Sequence, residues 1–320
     1  MRPRAWTRLL TLVVLLVAGA ASAVAGTVAR PSASGVRILR IRYIAHDGLT
    51  RSALVVVPKA DATGGRGLPL VISPHGRDST PLENARLWGD LPALGGFAVV
   101  SPEGQGRRLT LDSWGDPGQV EDLARMPAIV GRALPRLSLD PSRVFAVGDS
   151  MGGQEVLLLV ARDPSLLSGA VAFDATANLA LRYDAFSRFS PRLKALMTHE
   201  VGGSPSLDPH AYAIRSPLHW AARLALSGVP IELWWSRRDR VVHDPGLQSA
   251  LLFRRILELN PGAPVEQYVG YWQHGVAMEE KLPTALRQLG LLPPYRLARS
   301  GWGGTVVVGH RPPRPRLLNG

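Results

Sequence analysis

Apolar residues and arginines alternate along residues 36–43, ending Arg40-Ile41-Arg42-Tyr43. That period of two predicts a half-exposed strand, and residues 52–57 read as its hairpin partner. Two later strands are read at 231–235 and 265–269, and four further runs are short and almost wholly apolar: 68–73, 97–100, 144–147 and 170–173. Runs of that length, bounded by Gly and Pro, suit strands buried on both faces. Helical stretches fall between them. One covers 119–137 ahead of Asp140-Pro141, and another covers 153–162 behind a glycine pair. A third is expected to open at Asp244-Pro245 and run to about Leu259, with Asp as N-cap and Pro at the first helical position. Antiparallel strands first and strand–helix alternation afterwards predict a mixed, mostly parallel sheet covered by helices on both faces. No repeat of 20–50 residues interrupts this order.

One stretch breaks the alternation. Residues 175–229 lie between two strands and are rich in Pro, Gly, Arg and His. Two readings stand: a lid over a site, or a packed helical excursion. The chain also has distinctive ends. Arg2, Arg4 and Arg8 precede an apolar run over 9–17 and an A-x-A site at Ala21-Ser22-Ala23. That is the layout of an export signal, and the run is too short to span a bilayer. The expected product is secreted after cleavage near Ala23, leaving a domain over 24–294 and a basic, proline-rich tail over 295–320.

Composition narrows the chemistry. The chain has 320 residues and no cysteine, so disulfides, Cys–zinc sites, Cys nucleophiles and iron–sulfur clusters are excluded. Net charge is +12, and loss of the three signal arginines would leave +9. Such a surface favours weak association with anionic cell-wall polymers. Only three of the 37 basic residues are lysine, a bias that reads as coding composition rather than a binding signature. No basic helix or aromatic-interleaved basic stripe marks a nucleic-acid partner. Neither a G-x-x-x-x-G-K loop nor an H-E-x-x-H helix occurs, so no cofactor and no metal is expected.

The chemistry centres on Gly148-Asp149-Ser150-Met151-Gly152, with Gly153 behind it. This is G-x-S-x-G between an apolar strand and a helix, the context in which a serine is lifted clear of a sheet on a tight turn. A serine hydroxyl needs a base oriented by an acid. The base should follow a late strand, and His274 follows the run 265–269. His243 precedes that run, His310 sits in the tail, and His199, His210 and His219 fall in the excursion. The acid should follow 231–235, which selects Asp239. Asp244 is accounted for as a helix cap, whereas Asp174, directly after 170–173, is the competitor one strand earlier. The oxyanion donors expected are the backbone N–H groups of Met151 and Arg77, with Asp78 next. His75 reads as a structural loop residue. Trp272 is a candidate pocket wall.

These motifs resemble the α/β-hydrolases, and the second half resembles the catalytic domain of the prolyl-oligopeptidase-like group. The resemblance rests on Leu139-Asp140-Pro141-Ser142-Arg143-Val144 leading into the elbow, on Ser216-Pro217-Leu218, on Gly228-Val229-Pro230, on Asp239-Arg240-Val241-Val242, and on Gln267-Tyr268 ahead of His274-Gly275. It covers residues 68 to 289. It implies a serine hydrolase with the order Ser150, Asp239, His274. Only 149 residues precede Ser150, so no propeller is expected in front. Small secreted esterases and depolymerases of the superfamily share the Asp-Pro-x-Arg-Val pattern. The resemblance therefore implies small-molecule or polymer esters as substrates, with peptides as the alternative. A catalytically inactive binding protein of the same fold is the second alternative.

Overall fold

The computed structural model describes residues 35–59 and 67–294. The expected export signal and the basic tail lie outside the described residues. No helix among the described residues is long and apolar enough to cross a membrane.

Eight strands form one sheet: β1 (Val36–Ile44), β2 (Thr50–Pro58), β3 (Leu68–Ile72), β4 (Ala98–Pro102), β5 (Leu139–Asp149), β6 (Gly169–Phe173), β7 (Ile231–Ser236) and β8 (Val265–Gly270). Their order across the sheet is β1-β2-β4-β3-β5-β6-β7-β8. β2 pairs antiparallel with β1 and β4, and every other pairing is parallel. The alternation in β1 has the expected consequence. Ile41 and Tyr43 are buried, while Arg40 and Arg42 face solvent along an edge strand. Exposed charges there discourage a second chain from adding to the edge.

The strands divide their side chains between two cores by period two. Val55, Ile72, Ala146, Ala172 and Leu233 point to one face. That face is covered by α3 (Pro117–Ala133), α4 (Ser150–Arg162), α8 (Ala221–Leu226) and α9 (Ser249–Leu259). Val56, Val71, Val147, Phe173 and Trp234 point to the other. There α1 (Pro81–Leu87), α2 (Leu91–Gly95) and α10 (Val276–Gln288) close the layer. Both Trp234 and Trp235 are buried. Trp234 stacks on Tyr268 with ring centroids 4.1 Å apart.

Two helices differ from the sequence expectation. The helix expected over 119–137 runs from Pro117 to Ala133, with Asp116 capping through Gly118 N–H at 2.9 Å. Pro135 ends it, because the residue before a proline is pushed out of the helical region. The helix expected from Asp244 starts only at Ser249. Asp244 is no side-chain cap: it has φ 55°, precedes a short 3-10 turn at Pro245–Leu247, and its carboxylate pairs with Arg188 at 3.3 Å.

The excursion folds as α5 (Leu179–Phe189), α6 (Pro191–Val201), α7 (Pro209–Ile214) and α8. It has a small core of its own, in which Leu179, Tyr183, Phe186, Met197 and Tyr212 gather around Trp114 and Met151. These four helices pack against the body of the domain. They rest on Met151, the residue after the candidate nucleophile.

Candidate active site

Ser150 sits where β5 turns into α4, with φ 54°. A non-glycine residue in the left-handed region is strained and must be held there by its surroundings. The glycines around it make the turn possible. A Cβ on Gly148 would stand 2.7 Å from the Gly152 carbonyl, and one on Gly152 would stand 2.3 Å from the Pro74 oxygen. Only glycine allows these backbones to approach so closely. Ser150 and Met151 occupy the first turn of α4, whose N–H groups lack intrahelical acceptors and favour negative charge.

The loop after β3 lies against this turn. A Cβ on Gly76 would be 3.5 Å from Cβ of Ser150. His75 is buried and structural, as expected. Its Nε2 accepts the Gly104 N–H at 3.0 Å, so Nδ1 carries the proton and donates to the Gly76 carbonyl at 2.8 Å. Burial holds its pKa below the ordinary value. The Gly76–Arg77 peptide is trans, so pinning its carbonyl on one side directs the Arg77 N–H to the other. The Arg77 side chain pairs with Asp78 and lies 6.0 Å over the Trp114 ring.

The loops after β7 and β8 supply the base and acid. His274 Nδ1 donates to Asp239 Oδ2 at 2.8 Å. The other Asp239 oxygen accepts the Val241 and Val242 N–H groups at 2.7 and 2.9 Å. Buried Arg182 of the excursion donates to the Val241 carbonyl and so holds that turn. Ser236 ties the two loops together. Its Oγ donates to the Trp272 carbonyl at 2.5 Å and accepts the N–H groups of Trp272 and Arg238 at 2.9 and 3.0 Å. Ser150 and His274 line one cavity of about 500 Å³, together with Gly76 and Arg77. Asp149 and Glu279 also face that cavity, and burial raises the pKa of Asp149.

Asp174, the competitor one strand earlier, lies beside the Asp239–His274 pair. It follows β6 with φ 42° and is buried. Its oxygens accept Trp272 Nε1–H at 2.9 and 3.1 Å and the Ser236 N–H at 3.2 Å. Burial and the charge of Asp239 push its pKa up to about 7. The donor atoms of Asp174, Asp239 and His274 lie within 4.8 Å of one another. Each carboxylate also accepts N–H donors. Burial works to lower the pKa of His274, but the Asp239 hydrogen bond and the charges of Asp239, Asp174 and Asp149 outweigh it and raise the value.

The structure thus brings Ser150, Met151, Arg77, Asp239 and His274 to one end of the sheet. His243 instead stacks on Phe189 with centroids 3.6 Å apart, and His199 Nε2 meets Arg108 at 3.2 Å. Sequence reasoning missed Ser236 and Arg182, whose roles as ties between loops carry no motif. Trp272 lines a second cavity beside His274.

No family model matches the chain, and no curated protein matches it. Solved structures do. The acylaminoacyl peptidase of Pyrococcus horikoshii superposes with a TM-score of 0.61 at 16% identity over 80% of this chain. This chain spans only 40% of the length of that peptidase. A Rhizomucor miehei esterase gives a TM-score of 0.61 at 15% identity, over 80% of this chain and 82% of the other. A fluorophosphonate-binding serine hydrolase of Staphylococcus aureus gives 0.57 at 15% identity, over 79% and 98%. The fold is that of the α/β-hydrolases, and its structural neighbours are serine esterases and peptidases.

Proposed function

We propose that this protein is a secreted serine hydrolase that cleaves carboxylic esters through an acyl-enzyme. One observation carries the reading: an imidazole held by a buried carboxylate lines the same cavity as a serine strained onto a strand–helix turn. Ser150 Oγ attacks the ester carbonyl, and His274 Nε2 takes its proton. Asp239 fixes the tautomer and stabilises the imidazolium. The N–H groups of Met151 and Arg77 receive the oxyanion, supported by the positive end of α4. His274 then returns the proton to the leaving alcohol. Water repeats the sequence on the acyl-enzyme and restores Ser150.

Fluorophosphonate labelling tests the reading. The folded protein should label at Ser150, and Ser150→Ala should lose roughly 10⁴–10⁶ in kcat. An unlabelled protein whose esterase activity survives that substitution overturns it. Peptide cleavage is the second reading, favoured by the likeness to the peptidase. A panel of p-nitrophenyl esters beside alanine and proline anilides separates the two. Anilides turned over as fast as the best ester would make it a peptidase. Export is checked by the amino terminus of the secreted product, expected at Val24.

A further inference from the structure

Beside the cavity that holds Ser150 lies a larger one, of about 980 Å³. Its walls are the loop after β7 and the loop after β8, and His274 belongs to both cavities. An arm of a substrate seated in the larger space therefore lies one imidazole away from the reacting carbonyl.

That wall is unusually basic. Arg237, Arg238 and Arg240 all line it, and all three are exposed. Six arginines of the described chain hold a carboxylate, namely Arg51, Arg77, Arg125, Arg188, Arg215 and Arg255. Among the described residues none of the three on this wall has an acid within ion-pair distance, and what sets them apart is that they share one concave wall. Asp239 is the carboxylate on that wall, and its oxygens are committed to His274, Val241 and Val242. Arg238 lies 5.7 Å over the Tyr271 ring, and its N–H is tied to Ser236. Unpaired guanidinium groups beside a concave site leave a positive potential that attracts and orients an anion.

We infer that the substrate carries an anionic group, a carboxylate in the first instance, which docks on Arg237, Arg238 and Arg240 while its ester lies at Ser150. The inference rests on the serine-hydrolase reading and adds the charge of the substrate to it. Here the arginine bias of the sequence, read at first as coding composition, takes on a local role.

Matched ester pairs test it in the full-length secreted protein. One pair places the charge on the acyl arm: 4-nitrophenyl pentanoate against the mono-4-nitrophenyl ester of glutaric acid. The other places it on the leaving group: phenyl acetate against 3-carboxyphenyl acetate. In at least one pair the ratio of kcat/KM, charged over neutral, should fall about fivefold for each arginine changed in Arg238→Gln and Arg240→Gln. The same ratio should fall in 0.5 M salt and invert in the Arg238→Glu/Arg240→Glu double variant. Taking a ratio cancels any general loss of active protein. A ratio that stays constant across these variants in both pairs overturns the inference. If Ser150 fails to label with fluorophosphonate, the hydrolase reading has failed separately. The charge claim is then read from calorimetric binding of 3-carboxyphenyl acetate to the Ser150→Ala protein. Binding that the arginine substitutions abolish upholds the docking wall, and the absence of binding overturns it.

Discussion

Among the described residues, two histidine–aspartate pairs close at the same distance. His274 Nδ1 meets Asp239 Oδ2 at 2.8 Å, and His46 Nδ1 meets Asp122 Oδ2 at 2.8 Å. Burial barely separates them: the imidazoles are 15% and 12% exposed, and both carboxylates are buried. What differs is everything around them. Asp122 also faces the guanidinium groups of Arg51 at 3.5 Å and Arg125 at 3.0 Å. His46 Nε2 is buried, with Asp116 Oδ1 3.8 Å away, and Gly118 packs so tightly on the ring that a Cβ there would stand 2.1 Å from it. That pair braces α3 against the β1–β2 hairpin. Around His274 the acid's second oxygen is met by backbone N–H groups rather than by cations, and Nε2 is left for a cavity that Ser150 also lines. A His–Asp hydrogen bond is therefore no sign of catalysis by itself. The environment of the other ring nitrogen decides.

The sharpest way to break this distinction is to remove each imidazole in turn. His274→Ala should lower kcat by roughly 10⁴ or more. His46→Ala should leave kcat within a few-fold and instead lower the unfolding midpoint in urea. Comparable losses of activity in the two variants would put the site elsewhere.

Next come the acids. Asp239→Asn should cost about 10³–10⁴ in kcat with the fold intact, because it favours the wrong tautomer. Asp122→Asn should cost about 3 kcal/mol of stability, since it strips a charge partner from fully buried Arg51 while Asp47 remains. Urea unfolding and steady-state kinetics on the same preparations separate the two effects.

A smaller effect sharpens the role of Asp174. His274 must be neutral to act as base, so the rate rises as pH increases through its pKa. The carboxylates around it place that limb above the ordinary histidine value of about 6.5. Asp174→Asn removes one of those charges, so the limb should move to lower pH while kcat at its plateau changes only a few-fold. A limb that stays in place, with activity abolished instead, would make Asp174 the acid.

The smallest effect lies on the structural side. Glu155 is fully buried next to that region, and burial with the charges of Asp116 and Asp112 pushes its pKa up to about 8. The folded state then holds a proton that the unfolded chain releases above about pH 4.3. This contribution to stability is complete at low pH and is lost as pH rises to about 8. Glu155→Gln should flatten that decline, as read from urea midpoints across pH.

Much of this was legible along the chain because it is local. The period of two in residues 36–43, the short apolar runs and the G-x-S-x-G turn are fixed by backbone sterics and side-chain alternation within a few residues. They gave the strands, the candidate nucleophile and, through the rule that sites gather at the carboxyl ends of parallel strands, the choice of His274 and Asp239 as candidates. Residue-level rules failed where a neighbour in space overrode them. Asp244 looked like a cap until Arg188 took its carboxylate.

The tertiary structure alone decided the rest. His46 and Asp122 are 76 positions apart, and His274 and Asp239 are 35 apart. Neither spacing says which pair will close or what each will face. That depends on the strand order, which sets β6, β7 and β8 side by side and so gathers Asp174, Asp239 and His274, while α3 is laid against the β1–β2 hairpin. The same order turns three arginines in one loop into the wall of a cavity. Local sequence selects conformations a few residues long, but charge is felt through space, so the electrostatics of the site exist only once the chain has folded.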